Sequence, residues 1–156
     1  MNSVEKAKYI IKNNNFMVIS TSDNLGKPWI SPVGFVYDDS YNLYWVSYKE
    51  ALHSKNIRAR SEVAIVIFGQ MPERDFDGVY VDAKASELED EAEIQSVIDL
   101  FKTRRPQPTK FETKSVQEVT GDAAWRMYKA TPLGYSKRSN DVAAGQAITV
   151  REAVQL

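Results

Sequence analysis

The sequence predicts an α+β fold, mostly β, organised as a small closed or partly split β-barrel with a few peripheral helices. Three observations predict it. β-prone runs at 16–21, 27–37, 43–47, 62–68 and 78–88 are separated by turn chemistry. The last of them alternates Val79, Val81, Ala83 and Ala85 against Tyr80, Asp82, Lys84 and Ser86, which implies one covered face. Helical spacing is confined to the start, one crossover and one insertion, leaving five to seven strands in antiparallel succession.

The first helix covers residues 3 to 13, where Val4, Ala7, Tyr9, Ile10 and Ile11 recur at helical intervals, Asn2 or Ser3 can cap, and Glu5 sits in the first turn. Asn13-Asn14-Asn15 ends it. Phe16 to Thr21 and Lys27 to Tyr37 form a hairpin about the turn Ser22-Asp23-Asn24-Leu25-Gly26. Pro28 and Pro32 cannot donate ladder hydrogen bonds, so the second strand belongs at an edge, a bulge or a split in the sheet. After Asp38-Asp39-Ser40-Tyr41-Asn42 comes a strand over Leu43 to Ser47, then a short helix over Glu50 to Arg60 whose Lys49, His53, Asn56 and Arg60 share a wholly polar face. Glu62 to Phe68 reads as a buried strand and Gly78 to Leu88 as a half-covered one. Asp90 to Lys102 is helical, with Ile94, Val97, Ile98 and Phe101 on its apolar side. Thr103 to Thr109, with two prolines, stops it; a helical turn falls near Val116 to Val119. Ala123 to Ala130 and Leu133 to Lys137 make a last strand or hairpin punctuated by Pro132 and Gly134, and Ser139-Asn140-Asp141 opens a tail.

At 156 residues the chain predicts a single domain spanning 1–156. Lys plus Arg (20) nearly balances Asp plus Glu (21), which argues against broad attraction to nucleic acid or an anionic membrane. With no cysteine, disulfides, thiolate metal sites and cysteine nucleophiles are excluded; with His53 the lone histidine, zinc and hydrolytic triads have little to work with. No basic leader or membrane-length apolar run is present, so a cytoplasmic location is the expectation.

What remains is a polar cluster where strand passes into helix: Ser47, Lys49, His53, Ser54 and Asn56. Hydroxyl, amide and cationic donors at the entrance of a helix suit an anion, because the first N–H groups are unpaired and the dipole is positive there. A solvated lysine and a surface histidine are the bland alternatives. Trp45 reads as core, and Trp29 and Trp125 either as core or as stackers for a planar ligand. Asp38-Asp39 reads as turn chemistry rather than a metal site, and Arg104-Arg105 as a solvated loop.

Gly26-Lys27-Pro28-Trp29-Ile30-Ser31-Pro32-Val33, Leu43-Tyr44-Trp45-Val46-Ser47, His53-Ser54-Lys55-Asn56-Ile57 and Val63-Ala64-Ile65-Val66, in this order and spacing, resemble the pyridoxamine 5'-phosphate oxidase-like superfamily of flavin-binding split barrels. The resemblance covers residues 5 to 87. It implies a split-barrel homodimer holding FMN at the subunit interface. Ser31, Pro32 and Val33 would then pass beside the isoalloxazine ring, Val46 and Ser47 near the ribityl and phosphate end, and Lys49, His53, Ser54 and Asn56 around the phosphate, with Trp125 reaching the partner's flavin.

The chain departs from the full oxidase pattern where arginine is replaced by Ser31, and where an arginine and a lysine become Leu52 and His53. The segment carrying the oxidases' substrate-phosphate residues is not recognisable, so vitamin B6 oxidation is not expected. The resemblance leaves two readings: an FMN-dependent oxidoreductase passing electrons from a reduced donor to a small-molecule acceptor, or a non-catalytic module holding flavin, deazaflavin F420 or haem for sensing, storage or stress response.

Overall fold

The β-prone runs assemble into one eight-stranded antiparallel sheet in a computed structural model that describes residues 1–73, 76–104, 115–139, 142–143, 146–147 and 150–156. The chain order is α1 (Ser3–Asn13), β1 (Phe16–Ser22), β2 (Pro28–Gly34), β3 (Val36–Tyr37), β4 (Leu43–Tyr48), α2 (Leu52–Ala59), β5 (Glu62–Gln70), β6 (Phe76–Glu87), α3 (Glu91–Arg104) and β7 (Trp125–Ser139). A 3-10 turn at Val116–Glu118 precedes β7; β8 (Val142–Ala143) and β9 (Gln146–Ala147) pair with each other, and β10 (Val150–Val154) follows.

Along the main path the strands lie in the order β2-β1-β5-β6-β7-β4-β3, with β10 added to β7. Its two ends, β2 and β3, are consecutive in sequence and joined only through Phe35. One residue spans only a few ångströms, so the sheet must curl until its edges meet. β2 then lies beside β4 without pairing to it, which leaves the barrel split along that seam. The prolines agree with this position: β2 pairs with β1 alone and is an edge strand.

Inward-facing side chains fill the barrel: Met17 and Ile19 of β1, Leu43 and Trp45 of β4, Ile65 and Ile67 of β5, and Val79, Val81, Ala83 and Ala85 of β6. Helix α1 starts with a full capping box, Asn2 Oδ1 accepting from the Glu5 N–H while Glu5 accepts from the Asn2 N–H. It inserts Ala7, Ile10 and Ile11 into the core near Gly69, where any side chain would collide with Asn14. α3 lies outside, burying Ile94, Val97, Ile98 and Phe101 against Val36, Tyr44 and Met127.

Several expected features take a different form. The polar helix is shorter than Glu50 to Arg60, with Lys49 in the preceding turn and Arg60 as its C-cap. The strand expected over Lys27 to Tyr37 breaks at Phe35 into β2 and β3, and the sheet holds eight strands rather than five to seven. The last strand or hairpin is one 15-residue strand running through Pro132. A bulge absorbs the proline: Asp82 faces Gly134 and Ala83 faces Pro132, so Leu133 is the extra residue. Ser139 ends β7 instead of opening a tail, and the chain returns as β10; Asn140 and Asp141 lie outside the described residues, as do Arg105 to Lys114. Arg104 is no solvated loop residue, since it ends α3, donates to the Tyr37 carbonyl and pairs with Asp39. Asp38 ties the turn, accepting from the Ser40 and Asn42 N–H groups and the Tyr44 hydroxyl, which supports the turn reading.

Trp45 is wholly buried and stacks on Tyr128 at 5.5 Å, yet its indole N–H has no hydrogen-bond partner among the described residues. Trp45→Ala should cost about 3–5 kcal/mol in urea unfolding. Trp45→Phe should cost less than half as much, because it removes the unpaired donor along with the lost area.

Candidate functional site

The polar cluster closes the end of the barrel opposite α1. Along β4 the side chains alternate, Trp45 and Ser47 facing the barrel interior and Tyr44 and Val46 facing α3. Ser47 is buried at the mouth, where the His53 Nε2 and Ser47 Oγ are hydrogen-bonded at 2.9 Å. On β1 the corresponding mouth residue is Thr21, whose hydroxyl accepts from Asn56 Nδ2 at 3.1 Å. α2 is thus fixed to both walls. Ser54 adds a third tie by donating to the Tyr48 carbonyl at 2.9 Å. Arg58 adds a fourth, pairing with Glu87 at 2.9 Å, while Glu87 also accepts from the Tyr128 hydroxyl at 3.0 Å.

This arrangement divides the expected residues. Ser47 and His53 are brought together. Ser54 and Asn56 are buried and bonded within the protein, so they position α2 rather than offer free donors, and the face expected to be wholly polar and open is largely a plug. Val46 points to the other side of the sheet, against the α3 cluster. Trp125 pairs with Tyr48 on that same outer side, edge to face at 5.9 Å, and both remain partly exposed. Arg126, opposite Ser47 on β7, was missed; its guanidinium donates to the carbonyls of Gly121, Ala123 and Trp125 and holds the turn before β7.

Across the seam, β2 presents its edge. A proline nitrogen cannot join the β1 ladder, so Pro28 and Pro32 must turn theirs toward the seam, and Ile30, of the same parity, turns its N–H and carbonyl there too. Ser31 and Val33 instead spend their backbone groups on β1. The Val33 side chain is core, and the Ser31 hydroxyl accepts from the Trp29 indole at 3.0 Å. Ile30 is therefore the edge residue that sequence reasoning passed over; the spacing of the two prolines was the available signal.

The donors at the mouth fit a phosphate. Ser47 brings a hydroxyl and His53 an imidazole, Lys49 precedes the helix, and α2 begins at Ala51 with no side-chain cap and no acidic residue in its first turn. Burial lowers the His53 pKa below the ordinary 6.5, so the ring is neutral at pH 7 and enters as a hydrogen-bonding group rather than the cation expected from sequence. Among the described residues no cluster of acidic or histidine side chains could hold a metal, and no helix is long and apolar enough to cross a membrane.

The family model for pyridoxamine 5'-phosphate oxidase matches residues 3–128, and the chain belongs to that family. Its architecture is the split barrel of those proteins. Similar solved structures include the General Stress Protein 26 of Bacillus anthracis str. Sterne (20% identity, TM-score 0.64, 100% of each chain covered). They also include the haem storage protein HutZ of Vibrio cholerae (19% identity, TM-score 0.68, 86% of this chain and 94% of that one). A third is an FAD-binding protein of Mesorhizobium loti (16% identity, TM-score 0.66, 86% and 93%). At these identities they show the shared fold. No curated protein matches the sequence.

The single histidine makes the mouth directly observable. Its imidazole resonances should titrate below pH 6.5 by NMR, and inorganic phosphate should move the midpoint upward, because an anion favours the charged ring. The unfolded chain takes up this proton first, so stability is full above pH 6.5 and declines as pH falls toward the lowered folded value; His53→Gln should flatten that slope.

Proposed function

We propose that the protein binds FMN at the barrel mouth and acts as a flavin-dependent oxidoreductase. The observation that carries this reading is the Ser47–His53 pair at the uncapped start of α2, with Lys49 two residues beyond Ser47 in sequence and β4 and α2 both lying next to β2. Ser47, Lys49 and His53 would hold the phosphate, and the backbone of Ile30 would line the ring. A bound flavin supplies hydride or single-electron transfer, while the protein's part is to place it, exclude water and present the second substrate. The family membership supports flavin over an unrelated phosphate ester. Vitamin B6 oxidation is not part of the proposal.

A haem reading, invited by the Vibrio cholerae relative, is less well served here. His53 is the lone histidine, and axial ligation through Nε2 would have to break its bond to Ser47.

We further propose a homodimer. Among the described residues no helix lies over the outer face of β2, β1, β5 and β6, and Pro32, Val18, Val66 and Tyr80 stand in one cross-strand row there. Ile30 and Phe68 on the same face are 67% and 46% exposed. An apolar patch of this kind marks an interaction surface, and two-fold self-association is the commonest way to cover one. A second copy on this face would also reach the β2 edge that borders the mouth.

The first test is the absorbance spectrum of the purified protein before and after FMN, with chromatography of any ligand released by heat; no flavin retained or rebound would overturn the reading, and a deazaflavin or haem spectrum would replace it. Ser47→Ala and Lys49→Ala should each weaken FMN binding about tenfold, or about 1.4 kcal/mol. Val66→Glu should shift a dimer to monomer in sedimentation with unchanged circular dichroism, and should weaken FMN binding if the site spans the interface.

A further inference from the structure

The groups assigned to the phosphate carry little charge for a dianion. Ser47 brings a hydroxyl and burial keeps His53 neutral, which leaves Lys49 as the one cation among them. A second cation starts directly beside them. Arg126 is the cross-strand partner of Ser47 in the ladder between β4 and β7. Directly opposed residues share one face of the sheet, with Cβ atoms about 4.5–5.5 Å apart. Since Ser47 faces the barrel interior at the mouth, Arg126 leaves its strand on that same face.

Its guanidinium is fixed but not neutralised. Nη1 donates to the carbonyls of Ala123 and Trp125, each at 2.7 Å, and Nη2 donates to that of Gly121, also at 2.7 Å. A guanidinium has five N–H groups, so two are left without a partner among the described residues. All three acceptors are uncharged. The nearby carboxylates do not balance it: Glu50 pairs with Lys55 at 3.5 Å and Glu87 with Arg58 at 2.9 Å, while Asp122, exposed in the same turn, forms no ion pair among the described residues. Arg126 is half-buried, and a charge withdrawn from water without a counter-charge is a cost that a bound anion removes. The turn that Arg126 holds also meets Lys49, whose backbone N–H donates to the Ala124 carbonyl at 2.9 Å. One turn thus sets both cations at the rim before any ligand arrives.

We propose that Arg126 is the residue by which the mouth selects a phosphorylated flavin over the unphosphorylated one, its two remaining N–H groups and its charge meeting the phosphate beside Ser47 and His53. The inference rests on the flavin reading and deepens it. A planar fork already anchored to the backbone suits this task, because it presents charge and direction together and loses little freedom on binding. The turn-holding role by itself makes no distinction between the two flavins, which gives the test its contrast.

FMN and riboflavin share the ring and the ribityl chain and differ in the phosphate, so the ratio of their dissociation constants, from flavin fluorescence titrations, isolates the charge. Wild type should favour FMN. Arg126→Gln should reduce that preference about tenfold or more, the range of a lost hydrogen bond to a charged group, with riboflavin affinity unchanged. Equal weakening of both flavins would assign Arg126 to the turn alone and overturn the inference, as would an unchanged ratio. A measurement on the wild-type protein covers the case in which the variant fails to fold. Phenylglyoxal labelling, mapped by mass spectrometry, should modify Arg126 in the free protein; FMN should protect it and riboflavin should not, while Arg60, the C-cap of α2, stays labelled throughout. An Arg126 that is unreactive in the free protein, or protected alike by both flavins or by neither, would count against the proposal. Binding of neither flavin to wild type would bring down the flavin reading and this inference with it, whereas flavin binding indifferent to Arg126 brings down this inference alone.

Discussion

The constraint on which the rest of this structure depends is the passage from β2 to β3 through Phe35. Those strands are the two edges of a long antiparallel path, and no flat or gently twisted sheet could have both edges one residue apart. The Phe35 side chain is buried and its N–H is bonded to the Asn15 carbonyl, so the junction is anchored as well as short. Closure follows, and with it an interior that needs plugs at both ends. The apolar face of α1 fills one. At the other, the plug is polar, and its polarity is what makes a site.

A polar helix in a barrel mouth is stable only if its groups are paired. Asn56, Ser54 and Arg58 meet that demand by bonding to three different strands or their side chains, which fixes α2 against β1, β4 and the Glu87–Tyr128 pair. Burial and the neighbouring Glu87 push the Tyr128 phenol up to about 12, so it remains a proton donor throughout the physiological range. The helix is therefore held independently of any ligand, and Ser47, His53 and Lys49 can be arranged in advance. Such prior arrangement is what binding sites require, since ordering side chains at the moment of binding opposes affinity.

Local chemistry made much of this legible in the sequence. The capping box of α1, the alternation of β6, the apolar stripe of α3 and the Asp38 turn each depend on neighbours within a few residues, and each was readable. What could not be read were relations between distant segments. Pro132 looks like an interruption until the bulge opposite Asp82 and Ala83 is seen, and β10 has a partner only because β7 runs so far. Within the site, residue type picked out Ser47 and His53, which the fold brings into hydrogen-bonding contact. It could not say that Asn56 would be spent on Thr21, or that Val46, next to Ser47, would face the opposite side of the sheet.

The two prolines of β2 have a consequence beyond the seam. A strand edge with every donor intact is a template onto which another extended chain can dock, and repeated docking is the first step of fibre formation. On β2, Pro28 and Pro32 erase two of three successive donors on the open side and leave carbonyls in their place. The same two substitutions of carbon for hydrogen that keep the barrel from sealing itself also make its opening a poor starting point for aggregation.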